Sequence, residues 1–146
     1  METKREELIK TFSVLCYELD KCYAEYAKTK NLTHSSLYIL GYLFENQKPL
    51  TQKEIADIFG IHKQVVNMSI KYFLENNYIE LKGAKEDRRE KLITLTDLGK
   101  DFAQSVFGPL AEVENNIWNG VTDGEITLIN GIMKKYSESI KTICIK

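Results

Sequence analysis

Apolar side chains at Leu8, Phe12, Leu15, Leu19, Cys22 and Tyr26 recur at alternating spacings of four and three residues. That period puts them in one seam along an α-helix, and such a seam calls for a helical partner. Thr33 is placed to cap a second helix, in which Leu37, Leu40 or Gly41, and Phe44 share a face until "NQKPL" interrupts at Pro49. In "TQKEIADIFG", Thr51 and Glu54 have the T-x-x-E spacing of a capping box. A short helix starts there, with Ile55 and Phe59 on its buried side and Gly60 free to take the left-handed conformation that ends it. After a brief turn "HKQVVNMSIKYFLENN" resumes helical periodicity, with Val66, Ile70 and Phe73 inward and His62, Lys63, Gln64, Asn67 and Lys71 mostly outward.

The period then changes. "YIELK" and "KLITL" alternate apolar and polar side chains, Ile79 and Leu81 on one run and Leu92, Ile93 or Leu95 on the other, which predicts an antiparallel pair. Between them "GAKEDRRE" is too long for a two-residue turn and too polar to bury, so it is expected to protrude. Thr96 caps a long helix reaching Trp118, which Gly108 and Pro109 are expected to bend or break. Thr122 and Glu125 repeat the capping-box spacing and open a last helix, where Ile129, Ile132, Tyr136, Ile140 and Ile143 recur by threes and fours. The expected fold is mainly α with a small β-hairpin, flanked at both ends by amphipathic helices.

Composition narrows the function classes. With 146 residues, 43% hydrophobic and 28% charged, the chain matches one ordinary globular domain. It has no apolar run approaching the ~18 residues of a membrane span. The start "METKREELIK" lacks the apolar core of a secretory signal, and Cys16, Cys22 and Cys144 form no disulfide framework, so a cytoplasmic location is expected. His34 and His62 stand far apart with no cysteine cluster, and no nucleophile-elbow, H-E-x-x-H or phosphate-loop pattern occurs. No metal, cofactor or enzymatic activity is therefore expected. The net charge of −1 argues against a uniformly basic nucleic-acid binder, but charge is unevenly spread. Between residues 62 and 91, Lys63, Lys71, Lys82, Lys85, Arg88, Arg89 and Lys91 outnumber Glu75, Glu80, Glu86, Asp87 and Glu90 by two.

Gln52, Ala56, Gly60, Ile61 and Val66 occupy relative positions 1, 5, 9, 10 and 15, the spacing of a DNA-binding helix-turn-helix. Ala56 must be small where the second helix crosses, Gly60 makes the turn, and Ile61 and Val66 fix the angle between the helices. The second helix can then enter a major groove, where Gln64 and Asn67 suit adenine, His62 and Lys63 suit guanine acceptors or phosphate, and Lys71 suits the backbone. Read singly, each of these is equally the solvated face of a core helix.

Taken together, "LTQKEIADIFGIHKQVVN", "LENNYIEL" and "EDRREKLITLTDLGK" resemble the MarR family of transcriptional regulators, which are winged helix-turn-helix dimers. The resemblance covers nearly the whole chain. It implies a winged helix-turn-helix over residues 33–96 and a helical dimerisation region from 1–32 and 97–146, within one compact domain. The D-x-R signature of the wing falls on Asp87 and Arg89, which implies that Arg89 reaches the minor groove, with Arg88, Lys82 and Lys85 approaching DNA and Asp87 holding the wing. Asn77 stands where the family often has glycine, and Met68 where a basic residue is common. Fewer cations there imply modest, strongly salt-dependent affinity.

The resemblance further implies a homodimer on a pseudo-palindromic operator, acting as a repressor and released by a small ligand or an oxidant. Tyr17, Tyr38, Tyr42 and Trp118, with Tyr23 and Tyr26, are candidates to line a pocket for an aromatic anion, although aromatics at helical spacing also build cores. A branch of the family senses hydroperoxides through a cysteine placed like Cys16. Here Glu18 and Asp20 stand nearby, and carboxylates raise a thiol pKa, so a packed and inert Cys16 is favoured. A winged-helix adaptor that binds proteins rather than specific DNA would keep the core spacing without needing Arg89 or Gln64.

Overall fold

The computed structural model describes residues 3–46, 48–83 and 91–144. Its elements are α1 (Lys4–Thr29), α2 (His34–Asn46), α3 (Gln52–Phe59), α4 (Lys63–Glu75), β1 (Ile79–Gly83), β2 (Lys91–Leu95), α5 (Asp97–Trp118) and α6 (Asp123–Cys144). The order is the one expected from the pattern.

Helix starts are set chemically. Capping boxes open α1, α3 and α6 through Thr3 and Glu6, Thr51 and Glu54, and Thr122 and Glu125. In the second box the Thr51 amide donates to Glu54 at 2.8 Å while the Glu54 amide donates to the Thr51 hydroxyl at 3.2 Å. The backbone amide of each threonine, followed by its hydroxyl, holds the Glu6, Glu54 and Glu125 carboxyls below their ordinary value by hydrogen bonding the charged form.

The core lies where α2, α3, α4, the hairpin and the start of α5 meet. Leu37, Ile39, Leu40, Ile55, Val66, Ile70, Phe73, Ile93, Ala103 and Val106 are buried there. Each large aliphatic or aromatic side chain contributes about 1.5–3 kcal/mol by leaving water. β1 and β2 pair antiparallel, with Ile79 opposite Leu95 and Leu81 opposite Ile93. Leu50 adds a bridge, exchanging backbone hydrogen bonds with Ile93 and anchoring the segment before α3 to the hairpin.

A tight junction joins the exit of α4 to the entry of α5. Asn77 takes the left-handed conformation at φ 57°, which its short polar side chain tolerates, and turns the chain into β1. The Thr96 hydroxyl donates to the Asn77 carbonyl at 2.7 Å and accepts from the Gly99 amide at 2.9 Å. The Thr96 amide donates to the Tyr78 carbonyl at 3.0 Å, and the Tyr78 ring stacks on Phe102 with centroids 4.2 Å apart. Gly99 is required by this approach, since a Cβ on it would sit 1.8 Å from the Tyr78 carbonyl oxygen.

Four details differ from the sequence expectations. α5 runs through Pro109 without a break, because the carbonyl left without a donor costs one helical hydrogen bond rather than the helix. On α2 the buried face is Ser36, Leu37, Ile39, Leu40 and Leu43, with Phe44 half-buried. Of the hairpin's apolar residues only Ile79 and Ile93 are buried, and Leu81 is exposed although it lies opposite Ile93, because Leu50 bridges β2 on its far side and leaves β1 at the edge. Cys16 is exposed rather than packed.

The chain divides into two compact units, Met1–Val106 and Phe107–Lys146. In the first, α1 buries only Ala27, and the Tyr26 hydroxyl donates to the Val106 carbonyl. Leu8, Leu15 and Leu19 are exposed on the same helix. In the second, α6 buries no residue, and Ile129, Ile132, Ile140 and Ile143 are exposed. No described helix is long and apolar enough to cross a membrane.

Gly99→Ala is expected to lower stability towards urea by about 3 kcal/mol, the upper part of the range for forced overpacking. Gly124→Ala, whose Cβ would meet nothing nearer than 4.0 Å, should instead raise it by about 0.5 kcal/mol. Equal stabilities for the two variants would rule out a rigid junction.

Candidate nucleic-acid interface

The helix-turn-helix is built as its spacing requires. Gly60 takes the left-handed conformation at φ 61°, and its amide and that of Ile61 both donate to the Ala56 carbonyl, closing the turn tightly. Ala56 and Val66 are buried at the crossing. His62 caps α4 in extended conformation without using its imidazole, and the Val65 and Val66 amides donate to its carbonyl.

α4 has two distinct faces. Val66, Ser69, Ile70 and Phe73 are buried, whereas Lys63, Gln64, Asn67, Met68 and Lys71 are exposed, as is the capping His62. The outward amides of Gln64 and Asn67 each carry paired donor and acceptor atoms, the pattern that matches adenine in a major groove. Lys71 lies 3.9 Å from Glu75 in an exposed i,i+4 pair, which holds it only weakly. Beside the turn, Gly60, Ile61, His62, Lys63 and Gln64 line an open groove of about 650 Å³.

On the hairpin, Lys82 donates to Glu80 at 2.8 Å and Thr94 donates to the same carboxylate at 3.4 Å. The Lys82 hydrogen bond, with its charge, holds the Glu80 carboxyl below the ordinary range. Arg88, Arg89, Asp87 and Lys85 of the expected wing lie outside the described residues.

The aromatic candidates are only partly brought together. Tyr38 and Tyr42 on α2 meet Phe59 of α3, with centroids 6.5 and 5.7 Å away, and His34 lies 4.8 Å from Tyr38. Burial, and secondarily the Asp20 charge, pushes the Tyr38 phenol above its ordinary value. Tyr17 stands exposed on α1, and Trp118 belongs to the second unit. Cys16, Cys22 and Cys144 are free thiols, and among the described residues no cluster of His, Cys, Asp and Glu could hold a metal ion.

Sequence reasoning missed a chain of hydroxyls behind α4. Ser36 on α2 and Ser69 on α4, only 4% and 3% exposed, lie with their oxygens 2.8 Å apart. Ser69 also donates to the Val65 carbonyl at 3.2 Å, and the Thr33 hydroxyl lies 2.8 Å from that of Ser36. One proton order satisfies all three hydroxyls, each donating onward from Thr33 to Ser36, to Ser69, to Val65. The signal was legible, since Ser69 interrupts the inward apolar positions of its helix.

A three-helix core carrying a turn-linked outward helix and an antiparallel hairpin defines a winged helix-turn-helix protein. Residues 30–90 match the MarR family model. The regulator TcaR of Staphylococcus aureus (strain Newman) is 28% identical over 106 residues, covering 71% of this chain and 69% of its own length. SarZ of Staphylococcus epidermidis is 25% identical over 143 residues, 93% of each chain. A MarR-family regulator from Listeria monocytogenes, solved in complex with a 26mer DNA, superposes with a TM-score of 0.72 at 24% identity, covering 96% of this chain and 90% of that one. These similarities support a MarR-family winged-helix transcriptional regulator.

Ser36→Ala and Ser69→Ala are each expected to cost about 1–2 kcal/mol, because each leaves a buried hydroxyl short of a partner. The double variant should cost clearly less than the sum of the two. Strict additivity in urea denaturation would mean that the two hydroxyls are not coupled.

Proposed function

We propose that the protein is a homodimeric repressor that binds a pseudo-palindromic operator with two copies of α4 in successive major grooves, in the cytoplasm. The observation that carries the reading is the division of α4. Its apolar residues are buried against the core, while its amides and lysines are left exposed at the end that a helix-turn-helix presents to base edges. Gln64 and Asn67 read bases, while His62, Lys63 and Lys71 reach bases or phosphates. Arg89 enters the flanking minor groove beside Arg88, in a wing that Asp87 holds. The structural neighbour from Listeria monocytogenes was solved with a 26mer DNA, which supports DNA as the partner.

The dimer has a physical rationale. Exposed Leu8, Leu15 and Leu19 on α1 and Ile129, Ile132, Ile140 and Ile143 on α6 form apolar stripes, and stripes of this kind are stable in water when covered. A second copy covers them on both sides of a two-fold axis and sets two recognition helices about one turn of DNA apart. Residues 1–32 and 97–146 thus serve dimerisation, and 33–96 DNA binding. Release by a small aromatic ligand draws support from the cluster of Tyr38, Tyr42 and Phe59 between α2 and α3. Exposure of Cys16 supports an oxidant as the second form of signal.

Genomic fragments selected by the wild-type protein provide the probe. Binding to the recovered fragment should be sequence-selective and fall steeply as salt rises. Gln64→Ala and Asn67→Ala should each weaken it about 10-fold or more, the value of one bidentate base contact, and Arg89→Ala should weaken it without unfolding the protein. If no fragment is enriched, the repressor reading fails in favour of a protein-binding adaptor.

A further inference from the structure

Met68 is 70% exposed in the second turn of α4, while the other large apolar residues of that helix turn inward. An isolated surface methionine needs no explanation. The place of this one does. At about 100° per residue, Gln64, Asn67, Met68 and Lys71 fall within one arc of about 100°, opposite Val66, Ile70 and Phe73. Met68 therefore stands among the groups chemically suited to base edges, with an amide one residue before it and another one helical turn before it.

A thioether has no proton to donate and accepts hydrogen bonds weakly, so against phosphate or a polar base edge Met68 would strip water from that polar group without replacing its hydrogen bonds. The apolar group that a major groove offers is the thymine C5-methyl. Adenine is also the base that Asn67 and Gln64 pair with bidentately, and every adenine is paired with a thymine whose methyl faces the same groove. We infer that Met68 is a specificity-determining residue that packs its thioether on a thymine methyl, in the A·T pair read by Asn67 or Gln64 or in its immediate neighbour. Its unbranched, flexible side chain can follow that methyl without moving the helix backbone. This assignment rests on the reading of α4 as the recognition helix.

The test removes the methyl from the DNA and the thioether from the protein independently. Duplexes of the selected genomic fragment are made with deoxyuridine replacing thymidine at one half-site position at a time, and each is titrated with wild-type protein and with Met68→Ala. At one position the wild type should lose about fourfold in affinity, the worth of one buried methyl group. Met68→Ala should bind the thymidine and deoxyuridine duplexes equally there, and its stability in urea should match the wild type. Losses that are the same in both proteins at every position, or absent in both, overturn the assignment while leaving the recognition helix intact. If the wild type enriches no fragment at all, the recognition reading falls and the assignment with it.

Discussion

The bond on which the rest depends is the one between the end of α4 and the start of α5. Thr96 holds three backbone groups together: the Asn77 carbonyl, the Tyr78 carbonyl and the Gly99 amide. The bare Cα of Gly99 lets the α5 backbone pass against the Tyr78 carbonyl, and the Tyr78–Phe102 stack closes the outer side. Hydrogen bonds, steric contact and stacking act at one place, so the exit of α4 and the first turns of α5 have no independent freedom. Any rotation of the first turns of α5 carries the C-terminal end of the outward helix with it.

The other end of α4 is held differently. Its N-terminus follows a turn closed on one carbonyl, that of Ala56, and its inner face is keyed to α2 by the Ser36–Ser69 hydroxyls. Apolar contacts resist separation but tolerate sliding, whereas hydrogen bonds are directional and fix register. With Val66, Ile70 and Phe73 supplying the burial, the hydroxyl pair supplies the register. The helix is clamped at its end by the α5 junction, along its back by hydroxyls and at its front by the turn. Its exposed face remains free of structural duty, which is what a reading surface needs.

Local chemistry made most of this legible. The capping boxes at Thr51 and Thr122, the left-handed Gly60, and the inward Val66, Ile70 and Phe73 each follow from a short-range rule, and each appears as expected. What was not legible depends on packing across the fold. Whether Leu81 is buried depends on which side of the hairpin Leu50 joins, and the Leu50 bridge joins residues more than forty positions apart. Pro109 does not break α5, where turns of helix stand on either side of it. Of the candidate site, the outward residues of α4 were identified individually. In the sequence Met68 reads only as a missing charge; its place beside Gln64, Asn67 and Lys71 follows from the exposed face of α4.

Charge decides how such a surface has to work. A net charge of −1 and few lysines on α4 leave little of the electrostatic attraction that binds most DNA-binding proteins to any sequence. On the proposed reading, that weakness leaves selectivity to other contacts. The attraction to phosphates is common to right and wrong sites, so removing part of it lowers both affinities without changing their ratio. Discrimination then falls to short-range groups, the amides of Gln64 and Asn67 and the thioether of Met68, whose contacts vanish when the base changes. Those groups act only if the helix is held to within a fraction of an ångström. A rigidly clamped helix with a lightly charged outer face is therefore one device, since the fixed position compensates for the weak attraction.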